Sequence, residues 1–188
     1  MLLEVEWQLV KILRNLLPKE NIFRKGAQLP EFDYHCPMMS LPLAFKTHGV
    51  AYLEKGPYLH PNASAVAHWA GILGKSNKPR VGLAWRGNPN HVKNNMRSIK
   101  LIELIPLLST RFDWISLEID PSEEEADLMH KCAFIKNFGP DIGDFLSTSA
   151  LCRNLNAVVS VDTSIAHLAG SIGTCLLYTS PSPRDGTK

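Results

Sequence analysis

The chain has 188 residues, 45% hydrophobic and 20% charged, an ordinary globular composition that excludes disordered and fibrous classes. Twenty Lys and Arg against eighteen Asp and Glu leave a net charge of +2, too near neutral to argue for nucleic acid or an acidic membrane surface as a partner. The length suits one domain, or a small domain plus part of another.

No transmembrane segment is expected, because the apolar stretches fall far short of a bilayer's thickness. Residues 2–6 (LLEVE) lack the basic region and cleavage site of a signal peptide. Cys36, Cys132, Cys152 and Cys175 show neither CxxC nor zinc-ligand spacing. They read as buried free thiols in a reducing compartment, so a cytoplasmic location is expected.

Residues 2–6 read as a short strand, and residues 7–17 as an amphipathic helix with Leu9, Val10, Ile12, Leu13, Leu16 and Leu17 on its apolar side. Pro18 ends it. Residues 21–23 are a candidate strand, 26–40 a proline-bearing loop, and 41–45 the start of a short helix. Residues 49–61 carry Gly49, Gly56, Pro57 and Pro61 and read as a linker. Asn62 is placed to cap a helix that runs to about Leu73 and stops at Gly74.

A buried strand at 80–85 (RVGLAW) leads into a polar loop at 86–98. A helix at 101–108 contains Pro106, and a strand occupies 113–118. Ser122 begins a helix to about Lys131, with Glu125 as its capping-box partner. A brief strand at 133–135, a helix at 144–154, a strand at 157–161 and a helix at 164–171 follow. This alternation predicts an α/β fold, a parallel sheet with helices on both faces.

Parallel sheets bind ligands where strand ends lead into helices, and two polar loops hold that position. In the first, Gly87 permits close backbone approach, Arg86, Lys93 and Arg97 offer cations, and Ser98 precedes a helix start. A solvated surface loop would have the same residues. In the second, Asp162, Thr163 and Ser164 open a helix, and His167 lies three residues past Ser164 on the same face. Backbone N–H groups and hydroxyls there form a pyrophosphate seat. An N-cap by Asp162 or Thr163 beside a core histidine fits the same residues. Adjacent His35 and Cys36 are poorly placed for a nucleophile pair. Asp33 reads as a turn residue, and residues 123–127 as a solvated helix face.

The runs VGLAWRGNPNH, NNMRSI and VVSVDTSIAHLAGSIG resemble bacterial proteins in which tetratricopeptide repeats are fused to a glycosyltransferase module. That module is similar to the heptosyltransferases of glycosyltransferase family nine and, more distantly, to the O-linked N-acetylglucosamine transferases. FDYHCPMMSLPLAF is similar to that family's link between two Rossmann-like domains. The resemblance spans about residues 2–173. It implies a GT-B architecture, with 1–48 a remnant of the acceptor domain, 49–61 the interdomain linker and 62–173 a truncated donor domain.

By resemblance, the diphosphate of a nucleotide-sugar donor would meet Asp162, Thr163, Ser164 and His167, faced by Gly87, Asn88 and Arg97. The implied reaction is an inverting sugar transfer to a glycan or protein acceptor, without metal or cofactor. Helix ends and basic side chains would stabilise the leaving diphosphate. The family's general base, an Asp in a Gly-Asp motif, would lie upstream of Met1. The chain as written is therefore expected to be inactive in transfer.

Residues 175–185 (CLLYTSPSPRD) break the pattern. They resemble a translated adapter from transposase-based sequencing libraries, so 174–188 are expected not to be native. The strand at the very start likewise suggests truncation at both ends. Two other readings are a nucleotide-binding module without catalysis and a repeat-based interaction scaffold carrying a relic transferase fold.

Overall fold

A computed structural model describes residues 1–47, 56–88 and 94–178. The chain begins with β1 (Leu3–Val5), α1 (Trp7–Leu13), β2 (Ile22–Arg24) and α2 (Leu41–Ala44). Then come α3 (Ala63–Leu73), β3 (Arg80–Ala84), α4 (Asn94–Arg97), α5 (Leu101–Leu104), β4 (Asp113–Ser116) and α6 (Glu123–Lys131). The last elements are β5 (Ile135–Asn137), α7 (Phe145–Cys152), β6 (Ala157–Ser160), α8 (Ser164–Ile172) and β7 (Leu176–Tyr178). Strands β3 to β7 form one parallel sheet in the order β5-β4-β3-β6-β7, while β1 and β2 pair, also in parallel, as a separate ribbon. The α/β class and the parallel sheet are as the sequence predicts.

Alternation along each strand sorts side chains onto two faces. Ala84, Ile115, Leu117 and Val158 join a core with Trp69 of α3, Ala150 and Leu151 of α7, and Ala169 and Ile172 of α8. Val81, Leu83, Trp85 and Trp114 face the other way, against Leu101 of α5 and Met129 of α6. Helices therefore cover both faces. Ile12 of α1, fully buried, belongs to the first core, and Lys11 pairs with Asp144 at 2.8 Å. Residues of the first helix are thus packed directly on α7. The linker expected at 49–61 lies mostly outside the described residues. Within its described part, Tyr58 and Leu59 both donate their backbone N–H groups to the Ser171 carbonyl of α8.

Local signals fix several boundaries. Asn62 accepts from the Ala65 N–H at 2.7 Å, and Gly74 stops α3 with φ of 64°. Ser122 and Glu125 form a full capping box, with bonds of 3.2 and 2.8 Å. The Trp69 indole N–H, donated to Ser147 Oγ at 3.1 Å, locks α3 onto α7.

Other expectations need correction. The helix at 7–17 is regular only to Leu13, and Leu16 is half exposed. The helix at 101–108 splits into α5 and a tighter turn, Ile105–Leu107, because Pro106 has no N–H to give to the preceding turn. The strand expected at 133–135 runs from Ile135 to Asn137, because pairing with β4 starts at Trp114 opposite Ile135. The polar loop at 86–98 contains α4. The four cysteines are free, but only Cys152 is buried; Cys36 and Cys175 are exposed. Leu176–Tyr178, within the segment read as adapter-derived, pairs with Val158–Ser160 and forms the sheet edge among the described residues. No helix among the described residues is long and apolar enough to cross a membrane.

Candidate functional site

From β3 the chain winds outward through β4 to β5, then returns to β6 on the other side of β3. Strands β3 and β6 therefore flank the point where the winding direction reverses. Loops leaving such neighbours diverge to opposite faces and open a crevice at the carboxyl ends. The two polar loops picked out by the sequence are the ones that leave β3 and β6. The topology explains why they meet.

Arg97, on α4, bridges them. One guanidinium nitrogen, Nη1, donates to the Asp162 carbonyl at 3.0 Å, across 65 positions of sequence. The group lies close against Gly87, which is buried. A Cβ at Gly87 would come within 2.5, 2.6 and 2.7 Å of Arg97 Nη2, Nε and Cζ. Any side chain there would push the guanidinium away. Gly87 N–H donates to Ser98 Oγ at 3.2 Å, Ser98 Oγ donates to Asn94 Oδ1 at 3.0 Å, and Ile99 N–H donates to the Trp85 carbonyl at 2.8 Å. Arg97 Nε is buried and has no hydrogen-bond partner among the described residues. A buried guanidinium N–H without an acceptor is costly. It marks a place where an external oxygen would complete the arrangement.

At the second loop the cap is settled. Thr163, buried and extended (φ −140°, ψ 173°), caps α8 by accepting from the Ile165 N–H at 3.2 Å. Its Oγ1 lies 3.4 Å from Ser160 Oγ. Asp162 precedes the cap and supplies the carbonyl that orients Arg97. Ser164 and His167 are exposed and share a helix face with exposed Gly170. His167 is therefore not a core histidine. Asn88 is exposed at the outer end of the first loop. Six of the candidate residues thus fall into two groups: Gly87, Arg97 and Asp162 in direct contact, and Thr163, Ser164 and His167 on the first turn of α8.

Three sequence expectations fail here. Arg86 is not a free cation for phosphate. Its Nε donates to Glu118 Oε2 at 3.3 Å, its backbone N–H to Glu118 Oε1 at 3.3 Å, and Nη2 to the Asp120 carbonyl, with Glu125 Oε2 at 3.6 Å. Glu125 is not on a solvated face, since it also accepts from the Trp85 indole N–H at 2.6 Å. The strands that place Glu118 and Arg86 side by side are adjacent in the sheet but far apart in sequence, so no local motif signals the cluster. Burial, helped by the nearby Glu125 charge, pushes the Glu118 carboxyl up to about 7 even though Arg86 opposes the shift. Ser98 does not open a useful helix N-terminus, because α5 has four residues and Ser98 Oγ is engaged with Gly87 and Asn94. Lys93 lies outside the described residues.

Two cavities flank the sheet. An apolar groove of about 270 Å³ runs along the α5 face of β6 and β7, with Trp85, Ile99, Val159 and Tyr178 in its walls. A polar cleft of about 310 Å³ lies at the opposite, amino-terminal end of β3 and β6. There Arg80 donates to the Leu73 carbonyl at the end of α3, Asn154 donates to the Val66 and Ala150 carbonyls, and Asn156 accepts from the Arg80 N–H. Among the described residues no three His, Cys, Asp or Glu side chains cluster as metal ligands.

No protein-family model matches the chain. Over 170 residues, 86% of its length, the chain is 24% identical to Protein FlbA of Caulobacter vibrioides. Among solved structures it is similar to the ADP-heptose lipopolysaccharide heptosyltransferase II of E. coli, at 13% identity and a TM-score of 0.43 over 65% of this chain. The chain spans 28% of the length of FlbA and 39% of the heptosyltransferase chain.

Proposed function

We propose that this chain carries the donor-binding part of a GT-B glycosyltransferase, in which the crevice between β3 and β6 seats the diphosphate of a nucleotide sugar. The observation that carries the reading is Arg97: it is laid on Gly87, aimed by the Asp162 carbonyl, and left with a buried Nε that is unpaired among the described residues. A phosphate oxygen supplies the acceptor that this N–H lacks. The guanidinium fork suits phosphate geometry, and the α8 N-terminus beside it adds backbone N–H groups and a favourable dipole. Ser164 and His167, on the open face of α8, are the side chains free to reach the donor.

In this reading Arg97 and the α8 N-terminus stabilise the charge that develops on the departing diphosphate, and no metal is required for that role. The transfer is inverting, and the acceptor's proton is taken by a base that none of the assigned residues supplies. Donor binding is accordingly the property to test. Titration calorimetry with a panel of nucleoside diphosphates should give saturable binding, and Arg97→Ala should weaken it by about 10- to 100-fold, the value of hydrogen bonds to a charged partner. Affinity for the parent nucleosides should not change. Absence of binding across the panel, or an Arg97→Ala chain that binds as well as the parent, would remove the reading.

A further inference from the structure

The β3 loop is held from behind as well as from the crevice. On the crevice side, Trp85 and Gly87 are pinned by Ile99 and Ser98. On the far side, Arg86 is bonded through its backbone N–H, Nε and Nη2 to Glu118 and the Asp120 carbonyl, and Trp85 is bonded through its indole to Glu125. Glu125 is in turn fixed by the α6 capping box, accepting from the Ser122 N–H at 2.8 Å. Trp85 is thus tied on both sides, Arg86 from the far side and Gly87 from the crevice side. The carboxylates are well enclosed, with side-chain exposures of 13% for Glu118 and 15% for Glu125. Packing accounts for burying one ion pair. It does not account for placing two carboxylates and an arginine immediately behind the glycine on which Arg97 rests.

We propose that the Arg86–Glu118–Glu125 cluster is a positioning device for the anion seat, setting residues 85–87 so that Gly87 receives the Arg97 guanidinium in its working orientation. The inference rests on the reading of Arg97 as a phosphate ligand. None of the three cluster residues touches the ligand. Their effect passes through the Trp85–Gly87 backbone.

The charged groups that act on Glu118 are Arg86 from the β3 loop and Glu125 from α6, and the Asp120 carbonyl of its own loop accepts from Arg86. One cation between two carboxylates makes the grip on Arg86 depend on the charge of Glu118. Since burial raises that carboxyl to about 7, the cluster tightens as pH rises through neutrality. Affinity at the seat should follow.

Two measurements on the full chain test this. In the first, without ligand, the Trp85 indole and Gly87 amide resonances are followed in nitrogen–proton correlation spectra from about pH 5.5 to about pH 8.5. Both should shift with a common midpoint near 7 in the parent, and neither should in Glu118→Gln. In the second, inorganic pyrophosphate is titrated into both proteins at each pH, so that the probe's own ionisation cancels in their ratio. The parent should bind about as well as Glu118→Gln at the acid end and about fivefold more tightly at the alkaline end. Glu125→Gln gives an independent second lesion and should weaken binding at alkaline pH.

Resonances that do not titrate, or an affinity ratio flat with pH while the parent binds and Arg97→Ala does not, would overturn the positioning role and leave the anion seat standing. A parent that binds no pyrophosphate at any pH, with resonances titrating as expected, would instead overturn the seat, and the proposal with it.

Discussion

Replacing Gly87 by Ala separates the site from the fold. The added Cβ would lie 2.5 Å from Arg97 Nη2 and 2.6 Å from Nε, where ordinary contact begins at 3.4 Å. The guanidinium must retreat by about an ångström, and a displacement of that size breaks the 3.0 Å bond to the Asp162 carbonyl. Losing one such bond, donated by a charged group, costs the fold about 1.5–3 kcal/mol. Stiffening the unfolded chain by Gly→Ala returns about 0.4–1 kcal/mol, since Gly87 has no positive φ that alanine would resist. The net loss of stability should therefore be about 0.5–2.5 kcal/mol. Binding should not be spared: an Arg97 that has lost its aim gives up about 1.5–3 kcal/mol with a charged ligand, or about 10- to 100-fold in affinity. The assay pairs urea unfolding with calorimetric titration of a nucleoside diphosphate. An affinity within about twofold of the parent, or a loss that merely tracks unfolding, would refute the argument that Gly87 is glycine for the sake of Arg97.

Two buried acids should give stability slopes of opposite sign. Glu118 has its carboxyl raised to about 7 from 4.5, so the native state holds a proton the unfolded state has released. Stability from this group is full below the unfolded value and falls as pH rises towards 7, by on the order of 3 kcal/mol at most; urea midpoints should show the slope in the parent and lose it in Glu118→Gln. For Asp144, burial pushes the carboxyl up, but the Lys11 bond and the Ser147 N–H outweigh it and the net shift is downward. Its contribution is present above the usual carboxylate range and disappears as pH falls below it. Asp144→Ala should cost about 1–2 kcal/mol through loss of the α7 cap, whereas Asp144→Asn, an equally good cap, should cost less, as read from denaturant midpoints.

What the sequence makes legible is local. The capping box of α6 and the Asn62 and Gly74 boundaries of α3 are short-range hydrogen-bonding devices, and they appear where their residues stand. Runs such as RVGLAW signal buried strands because both faces of a covered parallel sheet are apolar. The two loops could be chosen because strand ends are where such sheets bind ligands. What stays hidden depends on strand order. Nothing near Arg86 reveals that Glu118 will be its neighbour, and nothing near Glu125 shows that its helix will face Trp85; β3–β4 pairing decides both. The same holds for the choice between a capping and a ligand-facing role at Asp162 and Thr163. That depends on where Arg97 arrives from, 65 residues away.

Helix α8 answers to two masters. Its first turn borders the Arg97 crevice, while at its last turn the Ser171 carbonyl accepts both N–H groups of Tyr58 and Leu59. Beyond it, Gly173 takes a left-handed turn so tightly against Pro57 that a Cβ there would sit 2.4 Å from the proline ring. Nine residues of helix make a stiff rod about 13 Å long. A ligand that draws in one end and a segment that grips the other act on the same rigid body. Whatever free energy links them is shared in both directions: a seat at Pro57–Leu59 that tightens on donor binding must, when tightened by other means, strengthen donor binding by the same factor.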